Sequence, residues 1–217
     1  MRSLVLTLCV VLLPNPLPAA EKPAGRDKPV PLFDGKTIKG WDGDPKVFRV
    51  EDGAIVGGGL KQPLPRNEFL CTRQQYSDFE LRLKFKLSGK GANAGVQIRS
   101  QRAPKDSPSP HEMIGYQADL GDGYWGCLYD ESRRNKVLAG PPKEKLAEIV
   151  KPDDWNQYVI RCQGRRIQLW LNGTQTVDYT EPDVKIPQKG LIGLQIHGGP
   201  PSEAWYKEIT IRQLPAE

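Results

Sequence analysis

In residues 79–87, FELRLKFKL, every odd-numbered position is apolar and every even-numbered one is charged. Successive side chains of a strand leave on opposite faces. This period of two therefore gives a dry face of Phe79, Leu81, Leu83, Phe85 and Leu87 and a wet face of Glu80, Arg82, Lys84 and Lys86, which a helix would smear around its axis. Such a strand must cover its apolar face with a second layer. The pattern returns in GVQIRS (95–100), YQADL (116–120), LIGLQIHGG (191–199) and WYKEITIRQL (205–214). Residues 155–179 hold a three-stranded meander broken at Gln163-Gly164 and Asn172-Gly173, and Asp52-Gly53 divides FRVEDGAIVGG (48–58); such dipeptides close tight hairpins. The 22 glycines and 20 prolines are spread between these runs, and only KEKLAEIV (143–150) reads as a short helix. The expected fold class is all-β, one domain over residues 32–214 built as a two-sheet antiparallel jelly-roll sandwich.

Residues 1–20 follow a different logic. Arg2 precedes the apolar run LVLTLCVVLL, and PNPLPAA leads to a small-residue cleavage site near Ala20, the layout of a secretory signal peptide. The run is short of the roughly 20 residues that a spanning helix needs, so no membrane association is expected after cleavage. Residues 21–31, EKPAGRDKPVP, read as a flexible lead-in. Loss of Arg2 leaves 30 basic residues against 26 acidic ones. That excess is mild, scattered and not interleaved with aromatics, which argues against nucleic acid as a partner. Cys71, Cys127 and Cys162 remain; two could pair in an oxidising compartment, and buried free thiols are the equal alternative.

If the apolar positions line an inter-sheet core, their alternates face outward. Among them are Glu80, Gln97, Arg99, Gln117, Asp119, Gln195 and His197, a set richer in amides than an ordinary solvated strand face and able to hydrogen-bond a polyhydroxylated ligand. After YQADL the segment GDGYWG (121–126) must turn, which lifts Tyr124 and Trp125 to a tip where their rings can lie on a sugar face. Several of these residues have a second reading: Asp119 as a turn cap, Arg99 as a solvated surface group or an electrophilic clamp, His197 as base, metal ligand or plain strand-end residue. His111, Tyr129 and Asp130 read as structural, and Trp41, Trp155, Trp170 and Trp205 as packing. No nucleophile elbow, phosphate-binding glycine loop, dinucleotide fingerprint, zinc-type cysteine spacing or HExxH helix occurs. No Glu/Asp pair for ordinary glycoside hydrolysis is signalled either.

LFDGKTIKGW (32–41), DFELRLKFKLSGKGANAGVQIRS (78–100), YQADLGDGYWGCLYD (116–130), DDWNQYVIRCQGRRIQLWLNG (153–173) and GLIGLQIHGG (190–199) follow one another in this order. Together they resemble the 3-keto-disaccharide hydrolase domain family over roughly residues 30–214. The resemblance implies a concanavalin A-like sandwich, export from a bacterial cell, and cleavage of glycosides whose sugar carries a 3-ketone. The implied chemistry is proton abstraction beside the ketone, elimination of the glycosidic oxygen, and hydration. It asks for a base, a group that stabilises the enolate, and optionally a Lewis-acidic metal.

On that footing His197 is the candidate base or metal ligand, and Asp119 its carboxylate partner or a second ligand. Arg99 and Gln117 would orient the ketone and hydroxyls, and Asn93 would shape its turn or contact the sugar. Gln97, Gln195, Tyr124 and Trp125 complete the substrate-binding set. A divalent metal is the one cofactor this leaves room for, and an oligosaccharide or glycoside substrate is the implied partner. The rival expectation is a non-catalytic carbohydrate-binding module. Two positions depart from the family pattern: Lys84 stands where many relatives resemble an acid, and Ala94 where a serine is usual. If that acid takes part in catalysis, the chain is altered in activity or only binds.

Overall fold

The nine-residue alternation becomes the middle of a sheet. In the computed structural model, which describes residues 28–216 apart from 108 and 153, two antiparallel sheets face each other across one apolar core. The eight-stranded sheet runs β13 (Thr174–Thr180), β12 (Arg166–Leu171), β11 (Asn156–Gln163), β6 (Phe79–Ser88), β15 (Ser202–Gln213), β4 (Ala54–Gly59) and β3 (Phe48–Glu51), with β1 (Val30–Pro31) paired to β15. The seven-stranded sheet runs β10 (Val137–Ala139), β9 (Leu128–Glu131), β8 (Met113–Gly121), β7 (Asn93–Arg102), β14 (Leu191–Ile196), β5 (Glu68–Thr72) and β2 (Trp41–Asp42). The expected signal peptide lies outside the described residues. Val30 and Pro31, placed by sequence in the lead-in, pair with Ile211 and Thr210, so the sandwich takes in two residues of the expected lead-in.

The inward sets are those the alternation predicts. Phe79, Leu81, Leu83 and Phe85 of β6 and Tyr158, Ile160 and Cys162 of β11 come from one side. Val96, Ile98, Tyr116, Ala118, Leu120, Ile192, Leu194 and Ile196 come from the other, and all fifteen are at most 1 % exposed. Each large side chain so buried contributes about 1.5–3 kcal/mol, which holds the two sheets in one register and fixes what the opposite faces present. Asp52 and Gly53 (φ 49° and 72°) and Asn172 and Gly173 (φ 49° and 85°) adopt the left-handed pairs that two-residue hairpins require. The expected helix is a 3₁₀ turn, Lys143–Lys145, running into the single α-turn α1 (Leu146–Ile149). All three cysteines described are buried free thiols.

Candidate functional site on the outer face of the seven-stranded sheet

Strands β8, β7, β14 and β5 lie side by side, and with their odd or even positions committed to the core the alternates form a floor. Gln97 stands opposite Gln117, and Gly95 opposite Asp119. Gln195 is flanked by Gly95 on one side and Phe69 on the other. Gly95 is what lets the amides interlock: a Cβ there would lie 2.4 Å from Cδ of Gln117, so the glycine gap is where Gln117 lies down across the sheet. Ser100 Oγ donates to Gln97 Oε1 (2.5 Å), Gln97 Nε2 donates to Gln117 Oε1 (2.9 Å), and Gln117 Nε2 reaches Glu131 Oε2 at 3.4 Å. Gln195 is fully buried and close enough to Glu131 to lower its pKa, yet its amide nitrogen and oxygen complete no hydrogen bond of normal geometry.

The β8–β9 pairing adds residues that the strand pattern of β8 alone does not reveal. Tyr129 stands opposite Gln117 and Glu131 opposite Gly115, on the same face as the amides. The connection between β7 and β8 reaches across to β5, where His111 Nδ1 lies 2.7 Å from Glu68 Oε2. Arg102 helps to hold this connection by donating to the carbonyls of His111 and Phe69. Under it a small second apolar cluster of Phe69, Cys71 and Met113 seals one end of the floor, and Glu112 is carried to the neighbourhood of Glu131 and His197.

Three carboxyls on this face are held away from their ordinary pKa. Burial pushes Asp119 up to about 8, against hydrogen bonds from the Leu120 amide (2.9 Å) and Gln117. Burial, then the charge of Glu112, pushes Glu131 up to about 7, with the amides of Gln195 and Gln117 pulling the other way. Glu112 is itself raised, by burial first. Near neutrality Asp119 is mostly protonated, whereas Glu131 is poised to take or release a proton. Carboxyls whose environments separate their proton affinities are the arrangement from which acid and base roles are built.

Of the expected site residues, Gln97, Gln117, Asp119 and Gln195 share this floor. Asn93 is at its end, with its carbonyl accepting from the His197 amide. Tyr124 stands exposed at the rim, its ring edge-on to Tyr129 at 6.0 Å.

Three residues expected at the site lie elsewhere. Arg99 is not on the floor: β7 shifts register between Ile98 and Gln101, Arg99 takes a φ of 50°, and its side chain is driven toward the far sheet. There it donates to the carbonyls of Ser77 (2.7 Å) and Gly164 (2.8 Å), to Gln188 Oε1 (2.6 Å) and to Asp78 (3.1 Å). Its guanidinium is a buried cross-tie with no face left for a ketone. Trp125 is not a rim residue either, because its ring stacks on Phe85 at 6.1 Å and closes the edge of the core. Glu80 belongs to the opposite side of the molecule, paired with Arg82 and Arg212 on the eight-stranded sheet.

His197 and Asp119 do not form a pair. His197 is at the exposed end of β14 with Nδ1 2.5 Å from the Gly198 carbonyl, while Asp119 is buried two strands away and bonded locally. Among the described residues no group of three or more His, Cys, Asp or Glu side chains is arranged to hold a metal ion. The donor set therefore does not fit the divalent metal that the resemblance left room for. Lys84 and Ala94, the two departures from the family pattern, leave the floor untouched. Lys84 is on the outer face of the other sheet, paired with Glu208, and Ala94 is fully buried in the core.

A family model described as a 3-keto-alpha-glucoside-1,2-lyase-like domain matches residues 28–212. The chain belongs to that family. A 3-keto-disaccharide hydrolase of Bacteroides thetaiotaomicron is 27% identical over 238 aligned positions, covering 88% of this chain and 80% of the relative. Among solved structures, a Parabacteroides distasonis protein named for an inferred glycosyl hydrolase activity is 25% identical with a TM-score of 0.64, over 87% of this chain and all of that one. The carbohydrate-binding module CBM66 of Bacillus subtilis, 15% identical with a TM-score of 0.61 over 80% of this chain and 96% of its own, shares the fold. The jelly-roll sandwich of this family is thus one on which both enzymes and binding modules are described.

Proposed function

We propose that this chain is an exported enzyme that cleaves glycosides oxidised to the 3-ketone, with Glu131 as the base. The observation that carries this reading is a half-buried carboxyl at about 7, bonded to a substrate-facing amide and set in a floor of further amides. A ketone at C3 acidifies the proton on C2. Glu131 takes that proton, the electron pair forms the enolate, and collapse of the enolate expels the oxygen on C1, which takes a proton from Glu112 or water. Water then adds across the resulting double bond. A base whose pKa sits near the working pH combines a useful deprotonated fraction with useful basicity.

The unpaired amide of Gln195 and the amides of Gln97 and Gln117 supply donors and acceptors for hydroxyls and for the developing enolate oxygen. Tyr124 and Tyr129 offer ring surface at the edge. Asp119, protonated, keeps the floor from carrying two adjacent negative charges. His197 is reassigned from base to rim. A purely binding role would not call for a carboxyl tuned in this way, because sugar hydroxyls are bound as well by an ordinary ionised acid.

The test is turnover of a 3-keto-glucoside bearing a chromogenic leaving group, alongside the same glucoside unoxidised. Cleavage of the keto compound only, lost at least 100-fold in Glu131→Gln, is the expected result, that factor being about the lower end of what a general base supplies. Binding without cleavage of either compound would make the chain a carbohydrate-binding module.

A further inference from the structure

The opposite face of the sandwich has a chemistry of its own. On the outer side of the eight-stranded sheet, β6, β15 and the segment entering β11 bring Lys84, Lys86, Lys207 and Trp155 together, although they are far apart in sequence. Lys207 Nζ lies 3.9 Å and Lys86 Nζ 5.4 Å from the centre of the Trp155 ring, and Lys86 is also 4.9 Å from that of Trp205. A cleft of about 420 Å³ opens beside them, bounded by Lys84, Lys151, Trp155, Gln157 and Lys207. Its walls are fixed from beneath: Asn156 is buried and bonded to the Lys151 and Asp154 carbonyls, and Asn172 bridges Ile149 and Asn156.

Charge makes this cleft unusual. Lys84 is compensated by Glu208 at 2.8 Å. Among the described residues Lys86, Lys151 and Lys207 make no ion pair, although elsewhere on the same face Arg82, Arg166 and Arg212 all do. Lys86 and Lys207 share the Trp155 indole and Lys151 stands on the wall of the adjoining cleft; like charges on one patch repel each other, and a bound anion would relieve that repulsion. The cleft is within the range of pockets that take small molecules, and the exposed Gln157 amide adds a neutral donor and acceptor of the kind that reads hydroxyls.

From this juxtaposition we propose that the Lys151–Lys207 cleft, with Lys86 on the far side of the shared Trp155, is a second saccharide site, specific for a sugar that carries a carboxylate. Its ammonium groups would bind the acid, Gln157 the hydroxyls, and the free margin of Trp155 the ring. The inference is independent of the cleavage reaction, because it uses no residue of the seven-stranded sheet.

The experiment is calorimetric titration of the full chain with tetragalacturonate, maltotetraose and a deoxytetranucleotide at 50 and 200 mM salt. It is repeated with the double variant Lys151→Gln/Lys207→Gln, with Gln157→Ala, and with Glu131→Gln as a control in the other face. Expected are saturable binding of tetragalacturonate only and at least a fourfold weakening at the higher salt. The double variant should weaken it at least tenfold and Gln157→Ala measurably, and Glu131→Gln should leave it unchanged. If the double variant loses its fold by circular dichroism, Gln157→Ala and the salt dependence decide. Absence of binding at 50 mM salt, binding that both cleft variants leave intact, or equal binding of the tetranucleotide would overturn the proposal.

Discussion

Replacing Asp119 by Asn should stabilise the protein, and increasingly so as the pH rises. In the unfolded chain this carboxyl releases its proton above 3.8, whereas in the fold burial holds the proton until about 8. Within that window the unfolded state binds fewer protons than the folded one, so stability is complete below 3.8 and is lost as pH climbs toward 8. Each unit is worth about 1.4 kcal/mol, which gives a loss of about 4 kcal/mol between pH 5 and pH 8 from this one group. Asn cannot ionise, and its Oδ1 can go on accepting from the Leu120 amide as Oδ1 of Asp119 does at 2.9 Å. Glu131, raised from 4.5 to about 7, contributes a slope of the same sign. That slope is common to both proteins, apart from the charge of Glu131 that itself helps to raise Asp119. Urea unfolding of wild type and Asp119→Asn at pH 5, 6, 7 and 8 reads the difference directly, provided the m-values agree. A gap in favour of Asn that widens by several kcal/mol is the expected result. Parallel stability curves would show that Asp119 is ionised in the fold and would refute the burial argument for this floor.

Arg99→Ala should cost about 3–5 kcal/mol in the same assay, because it leaves Asp78 with only the Gly164 amide as partner and removes four part-buried hydrogen bonds of a buried guanidinium; unchanged stability with a raised KM would return Arg99 to the substrate. Trp125→Ala should cost about 2–4 kcal/mol through its lost packing on Phe85, whereas the exposed Tyr124→Ala should stay within about 0.5 kcal/mol and raise KM. Gly95→Ala should displace Gln117, since the new methyl would stand 2.4 Å from its Cδ. A fall in kcat/KM with little change in Tm is expected, and normal kinetics would mean that Gln117 is dispensable.

The layers of the fold were legible because period-two alternation is a local property that burial then enforces. FELRLKFKL, YQADL and LIGLQIHGG each put into the core the residues their pattern nominates. The same logic found Gln97, Gln117, Asp119 and Gln195, since a strand committed on one face is committed on the other. It failed for Arg99 because one bulge in β7 reverses the parity of everything after Ile98, and nothing in VQIRSQ announces a bulge. It failed for Trp125 because a turn residue's direction depends on which neighbour offers a space, here the ring of Phe85. Glu131 and Tyr129 were missed because counting the register back from GDGYWG as the turn pairs Gln117 with Asp130, whereas the strands pair Gln117 with Tyr129 and Gly115 with Glu131; that one-residue slip sends Glu131 to the wrong face. Glu112 and His111 were not within reach, because a proline-rich connection carries no period from which its path over the sheet can be read.

The most direct measurement is the pH dependence of kcat/KM on a 3-keto-glucoside for the wild type and Glu131→Gln. A base raised to about 7 must lose its proton to act, so wild-type kcat/KM should rise tenfold per pH unit below that point and level off above it. Residual activity of Glu131→Gln should lack the limb. A wild-type profile that is flat from pH 5 to 8, or a limb that survives in Glu131→Gln, would contradict the assignment of Glu131 as the base.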